Sequence, residues 1–282
     1  QIKVGLTGNL QDFEFVDRTG ATVTGADIDY NGSPAGYTSD PQEVITYVEA
    51  HDNETLFDAL QYKLPQGTSM ADRVRMSTLA LATTALAQSP SFWHAGADLL
   101  RSKSLDRNSY NSGDWFNRID WSATESTWGS GLPPRPDNES KWSFMRPLLA
   151  DPAIKPGPAD LRAARARAAE LLRIRFSSPL FRLGSAKRVQ ERVSFPTGGP
   201  LQTPGVIVMA IDDQAIIPSV TGALVIAATA HLPRKGAVAL KLQLAFACLL
   251  VAFAFSRSLP LSLVISFCSG VCIVGVISLY SS

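Results

Sequence analysis

No aspartate or glutamate follows Asp213 in this 282-residue chain, although all 25 acidic residues fall within the first 213 positions. Beyond that point only Arg234, Lys235, Lys241 and Arg257 carry charge, and the sequence turns apolar. A soluble surface needs charges of both signs interspersed over it, so the two parts cannot share one design. The front reads as an ordinary globular region; the back reads as a hydrophobic tail. Two apolar stretches stand in that tail, at residues 242–255 and 259–280. A membrane-spanning helix takes about 20 apolar residues, so the second is long enough and the first is short. Lys241 and Arg257 flank them as interfacial anchors do. A membrane anchor is one reading of residues 214–282, and a shift of reading frame after Asp213 is the other. Cys248, Cys268 and Cys272 all lie in the tail, in apolar company that suits packing rather than a metal.

A net charge of +1, with no stripe of lysine and arginine interleaved with aromatics, argues against a nucleic-acid partner. A hydrophobic content of 45% is enough for a substantial core. Within the front, residues 44–48 have the β-branched and aromatic content of a short buried strand. They run directly into His51, Asp52, Asn53 and Glu54. A strand held rigidly by its sheet can deliver side chains from its carboxyl end into a pocket, and Asp52 there could stabilise positive charge on a substrate. The alternative is that Asp52 caps a helix predicted over residues 53–61. His51, Asp52 and Glu54 make a poor metal set, because adjacent turn residues seldom converge on one ion. No cofactor is expected: the Gly5-Leu6-Thr7-Gly8 run lacks the Gly-Lys-Ser/Thr of a phosphate loop.

Periodicity then predicts a helix over residues 70–88, with Val74, Leu79, Leu81 and Leu86 on its apolar ridges, and a short strand near 91–95. The loop at 101–118 mixes Ser, Asn, Asp and Gly with Tyr110, Trp115 and Phe116. Polar groups around a ring edge and flat aromatics against its C–H faces suit a sugar, although a long loop packing its aromatics on a barrel has the same composition. Residues 131–158 are Pro-rich and read as irregular. A helix is expected over 159–176, with Leu161, Leu171, Leu172 and Ile174 inward and a solvated arginine face. Strands are expected at 189–195 and 206–211, the latter presenting Val206, Val208 and Ile211.

Three blocks carry a family likeness: Tyr30-Asn31-Gly32-Ser33-Pro34-Ala35-Gly36-Tyr37 with Tyr47 through Asp58, Leu99 through Arg118, and Ser178 through Met209. They resemble the pullulanase and limit dextrinase branch of the α-amylase clan, and the likeness is expected to stop at Asp213. The resemblance implies an α/β fold: the C-terminal portion of a (β/α)8 barrel over residues 1–183, the start of a β-sandwich domain over 184–213, and the hydrophobic tail over 214–282. It implies cleavage of α-1,6 links in branched α-glucans with retention, through a transition state with oxocarbenium character. On it, Asp52 is the third catalytic carboxylate, and His51, Asp106, Arg107, Asn108 and Trp115 meet the glucan. The nucleophilic Asp and acidic Glu of the family would precede Gln1. The rival expectation is a catalytically dead membrane-tethered or interaction protein keeping a barrel remnant.

Overall fold

The computed structural model describes residues 1–213, and the two apolar stretches at 242–255 and 259–280 lie outside the described residues. The chain divides into two units at Ile211, and the first, Gln1–Ile211, is the one described here. It opens with helix α1 (Ile2–Leu6), followed by two small antiparallel ribbons: β1 (Phe15–Val16) with β2 (Thr22–Val23), and β3 (Asp29–Tyr30) with β4 (Ser33–Pro34). The second ribbon turns through Asn31 at φ 53° and Gly32 at φ 85°, the two left-handed residues a tight hairpin requires. Gly36 must be glycine for another reason: a Cβ there would lie 2.5 Å from the carbonyl carbon of Gly25.

Helices α2 (Leu56–Lys63), α3 (Met70–Ala85), α4 (Asp114–Asn117), α5 (Arg135–Asn138), α6 (Trp142–Ala150), α7 (Pro158–Ser177) and α8 (Ala186–Arg192) follow, before β5 (Val193–Ser194) pairs antiparallel with β6 (Ala210–Ile211). Thr55 caps α2 by accepting the Asp58 amide at 3.2 Å, and Ser69 caps α3 by accepting the Asp72 amide at 3.2 Å. The cap of α2 is thus Thr55, not Asp52. At α7, Pro158 occupies the first turn and Asp160 reaches back to accept the Gly157 amide at 2.9 Å.

Several expectations are corrected by this arrangement. Residues 44–48 and 91–95 form no regular strands; they run side by side, joined by one parallel bridge between Thr46 and Ser91. Two bonds make it, Thr46 N–H to Pro90 O and Phe92 N–H to Thr46 O, both 2.9 Å. Among the described residues this is the one bridge either segment makes, and a single bridge cannot propagate a ladder. The stretch at 131–158 is not irregular but holds α5 and α6, with Pro147 inside the latter. Most of the strand expected at 189–195 is helix, because Ser185 caps α8 and only Val193 and Ser194 extend. Of the strand expected at 206–211 only Ala210 and Ile211 form β6; along the segment Ile207, Met209 and Ile211 pack inward while Val206 and Val208 are exposed. Among the described residues neither a closed parallel barrel nor a sandwich is formed.

Three apolar clusters hold the unit. One gathers Phe57, Leu100, Leu105, Trp128, Met145 and Leu161; another gathers Val4, Phe13, Phe15, Val189 and Phe195; the third lies between α3 and α7 around Leu81, Ala85, Ala168 and Leu171. The predicted faces of α3 and α7 hold at Val74, Leu81, Leu161 and Leu171, but Leu79, Leu172 and Ile174 point outward. The arginine face of α7 is also not uniform. Arg175 is buried, and its guanidinium donates to Ala85 O at 2.8 Å, Ala87 O at 2.6 Å and Ser89 O at 2.8 Å. It satisfies carbonyls left over where α3 ends and sets a positive charge against the negative end of that helix. Replacing Arg175 by Met should therefore destabilise the unit by roughly 3 kcal/mol in chemical denaturation, since hydrogen bonds from a charged donor are lost and buried carbonyls remain. Arg173→Met, on the exposed side of α7, should change stability by less than about 0.5 kcal/mol.

Candidate active site

The turn at residues 50–55 carries His51 and Asp52 at its exposed tip. Their side chains are 84% and 81% exposed, with His51 Nδ1 3.1 Å from Asp52 Oδ1, so both can meet a ligand from solvent. The turn passes through Asn53 in the left-handed region at φ 61° and enters α2 at Leu56.

What holds this turn comes from the loop after residue 99. Asp58, fully buried on the first turn of α2, accepts the Ser102 hydroxyl at 2.5 Å, the Lys103 amide at 2.8 Å and the Leu105 amide at 3.2 Å. Those bonds fix a backbone in which Ser104 and Leu105 are left-handed, at φ 55° and 68°. With its backbone set, Lys103 extends a buried side chain under the turn and donates from Nζ to His51 O at 3.2 Å and Asn53 O at 2.6 Å. Arg107, on the exposed side of the same loop, donates from Nε to Asn53 Oδ1 at 3.0 Å and lies 4.0 Å from Glu54. The loop and the His51–Asp52 turn are thus one assembly.

The other predicted contacts divide. Trp115 is 59% exposed; its indole N–H is fixed on Ser130 O at 2.8 Å and the Arg118 guanidinium lies 5.7 Å over its ring, leaving a flat apolar surface available. Asn108 is exposed, with its amide nitrogen 3.4 Å from Asp137 Oδ2. Asp106 departs from the expectation of a sugar contact. It is fully buried and accepts from the Asn108 amide at 3.1 Å, the Ser112 hydroxyl at 2.5 Å and Asn138 Nδ2 at 3.2 Å, so it organises the loop that presents its neighbours.

The titratable groups that sequence reasoning missed lie beneath the turn. Burial pushes the Glu49 carboxyl up to about 7, with Asp58 adding to the rise and the Leu56 amide, Arg101 and Lys103 opposing it. Burial likewise raises Asp58 to about 6 against its three loop donors. His94 is lowered by burial and by Arg101, Lys103 and His51, and Lys103 is lowered mainly by burial. His94 Nε2 sits 3.3 Å from Arg101 Nη1, and Gly96, at φ 90°, lets the Arg101 side chain lie where a Cβ would be only 2.9 Å from it. A signal for Asp58 was present, since it stands three residues after the capping Thr55. Lys103 gave none, as its partners are backbone carbonyls about 50 residues away. No group of three or more His, Cys, Asp or Glu placed to hold a metal occurs among the described residues.

An exposed imidazole–carboxylate pair, a braced guanidinium and an open indole face suit the hydroxyls and C–H faces of a sugar. Comparison with known proteins agrees in class. Residues 123–242 match the family described as alpha-1,6-glucosidases, pullulanase-type, C-terminal, so the likeness runs past Asp213, where it was expected to stop. The chain is 48% identical over 222 residues to the chloroplastic pullulanase 1 of Arabidopsis thaliana, covering 78% of this chain and 23% of that one. It is 44% identical over 211 residues to a pullulanase of Klebsiella pneumoniae, covering 75% and 19%. The crystal structure of apo pullulanase from Klebsiella pneumoniae matches with a TM-score of 0.72 at 43% identity, over 75% of this chain and 23% of that chain. The chain carries the C-terminal region of the pullulanase-type family. It spans about a fifth of the length of these curated relatives.

The raised carboxyls give stability a defined pH dependence. Between about pH 4.5 and 7 the folded chain keeps a proton on Glu49 that the unfolded chain has released, so this contribution to stability falls as pH rises through that window and is constant above it. His94 acts with the opposite sign below its ordinary value, so the Glu49 contribution is isolated by comparison with Glu49→Gln. Across pH 4.5 to 8 the wild type should lose roughly 3 kcal/mol relative to that variant in denaturant titrations, the size of a shift of two to three pH units.

Proposed function

We propose that this chain provides part of the active site of a debranching enzyme that opens α-1,6 links in branched α-glucans with retention. In this reading the first 183 residues are the closing part of a (β/α)8 barrel, with 44–48 and 91–95 as its last two strand positions and 184–213 as the start of a β domain. The observation that carries it is the bracing of the exposed His51–Asp52 turn onto the polar, aromatic loop by Lys103 and Arg107. Asp52 stabilises the positive charge that develops on the sugar ring, and His51 donates to hydroxyls of the sugar at the cleaved bond. The Arg107 guanidinium hydrogen-bonds glucose hydroxyls beside them while Trp115 offers its face to a neighbouring ring. The nucleophile and the general acid come from elsewhere in the intact protein.

Among the described residues no helix is long and apolar enough to cross a membrane. A branched α-glucan is the partner proposed.

In the intact protein, Asp52→Asn should lower turnover of pullulan at least about a hundredfold, the scale of losing an electrostatic stabiliser of the transition state. Near-wild-type turnover would remove Asp52 from the chemistry. Arg107→Ala should weaken binding of a branched oligosaccharide in calorimetry while the melting temperature stays nearly constant; a large fall in melting temperature with unaltered affinity would make Arg107 a loop anchor alone.

A further inference from the structure

The turn that bears His51 and Asp52 is closed at its neck as well as braced from below. The Leu56 amide donates to Glu49 Oε2 at 2.7 Å, joining residues seven apart and enclosing the whole turn between them. Thr55 caps the helix at the Asp58 amide, and Glu49 takes a different donor of the same first turn, the Leu56 amide. Glu49 is only 6% exposed, which keeps its carboxyl out of reach of any sugar, and its Oε1 is buried without a hydrogen-bond partner. A buried carboxylate with one oxygen unmatched costs stability, and such groups concentrate where function requires them. The charges that bear on it come from two elements: Asp58 on α2, and Arg101 and Lys103 on the following loop. Lys103 is also the residue that grips the turn from inside, through the carbonyls of His51 and Asn53. Neck and interior of the turn are therefore tied to the same group of charges.

We infer that Glu49 is a positioning residue: by clasping the Leu56 amide it closes the turn and fixes where His51 and Asp52 stand. It acts through those two residues and touches no substrate. The inference rests on the debranching role given above to Asp52. A displacement of about 1 Å in a group that acts on the transition state can cost up to about a hundredfold in rate, so losing the clasp should show mainly in kcat. Glutamine keeps an oxygen able to accept from the Leu56 amide; leucine does not.

The test uses the intact protein with Glu49→Leu and Glu49→Gln, read by pullulan kinetics and by hydrogen exchange of peptides spanning residues 49–57. The expected result for Glu49→Leu is at least about tenfold faster exchange in that segment and a kcat lowered about tenfold to a hundredfold, with KM within about threefold. Glu49→Gln should restore both exchange protection and most of kcat. The inference is overturned if Glu49→Leu keeps its protection, if it loses protection with kcat unchanged, or if Glu49→Gln falls as far as Glu49→Leu. Should the wild-type protein fail to open α-1,6 links, the debranching reading falls separately, and the exchange measurement still decides whether Glu49 closes the turn.

Discussion

The hydrogen bonds converging on the carboxylate of Asp58 are the constraint on which the candidate site depends. Ser104 and Leu105 are held in the left-handed region, where each non-glycine residue carries a cost of roughly 1–2 kcal/mol. A loop left to itself would relax out of that conformation. It does not, because the amides of Lys103 and Leu105 and the hydroxyl of Ser102 all end on one buried acceptor. The same geometry drives Leu105 into the cluster that contains Phe57 and Trp128, whose rings meet edge-on with centroids 5.6 Å apart. Apolar packing and charged hydrogen bonding fix one loop from its two sides, and Lys103 is aimed at the His51–Asp52 turn as a result.

The ionisable groups are distributed unevenly over the unit. Around the turn, Glu49, Asp58, Arg101 and Lys103 share a region of partial or full burial, and the carboxyls among them are pushed toward their neutral forms. Elsewhere, buried charge does plain structural work, as when Arg175 satisfies the carbonyls beyond α3. The first arrangement costs stability and the second contributes to it. That contrast separates the candidate site from the scaffold more clearly than the exposed residues do, since exposed polar side chains occur over the whole surface.

Much of the scaffold was legible because it is local. The amphipathic runs of α3 and α7 place Val74, Leu81, Leu161 and Leu171 inward as their spacing requires, and the Asn31-Gly32 pair turns the chain where such a pair should. The failures arise where a distant partner decides. Arg175 looks like one more surface arginine until the end of α3 is brought against it, and Asp106 looks like a sugar contact until Ser112 and Asn138 fold over it. Residues 44–48 have the composition of a strand but make one bridge among the described residues, so composition alone does not complete a ladder. The His51–Asp52 pair stands out at the end of the apolar run 44–48 and Arg107 through the family likeness, whereas Glu49 and Lys103 emerge only from the fold, because their partners are backbone groups that no side-chain pattern encodes.

Lys3 has a consequence for the order in which the polypeptide can become compact. Its ammonium donates to Val16 O at 3.1 Å, Thr197 O at 3.1 Å and Gln202 Oε1 at 3.3 Å, and lies 5.7 Å from the rings of both Phe15 and Phe195. The bond to Thr197 spans 194 positions of the chain. During synthesis, Phe13 and Phe15 leave the ribosome long before Phe195 exists to cover them, and Lys3 waits equally long for Thr197 and Gln202. Contacts this remote close slowly and leave apolar surface open to other molecules meanwhile. Phe13 and Phe15 therefore stay uncovered until the far end of this unit has formed.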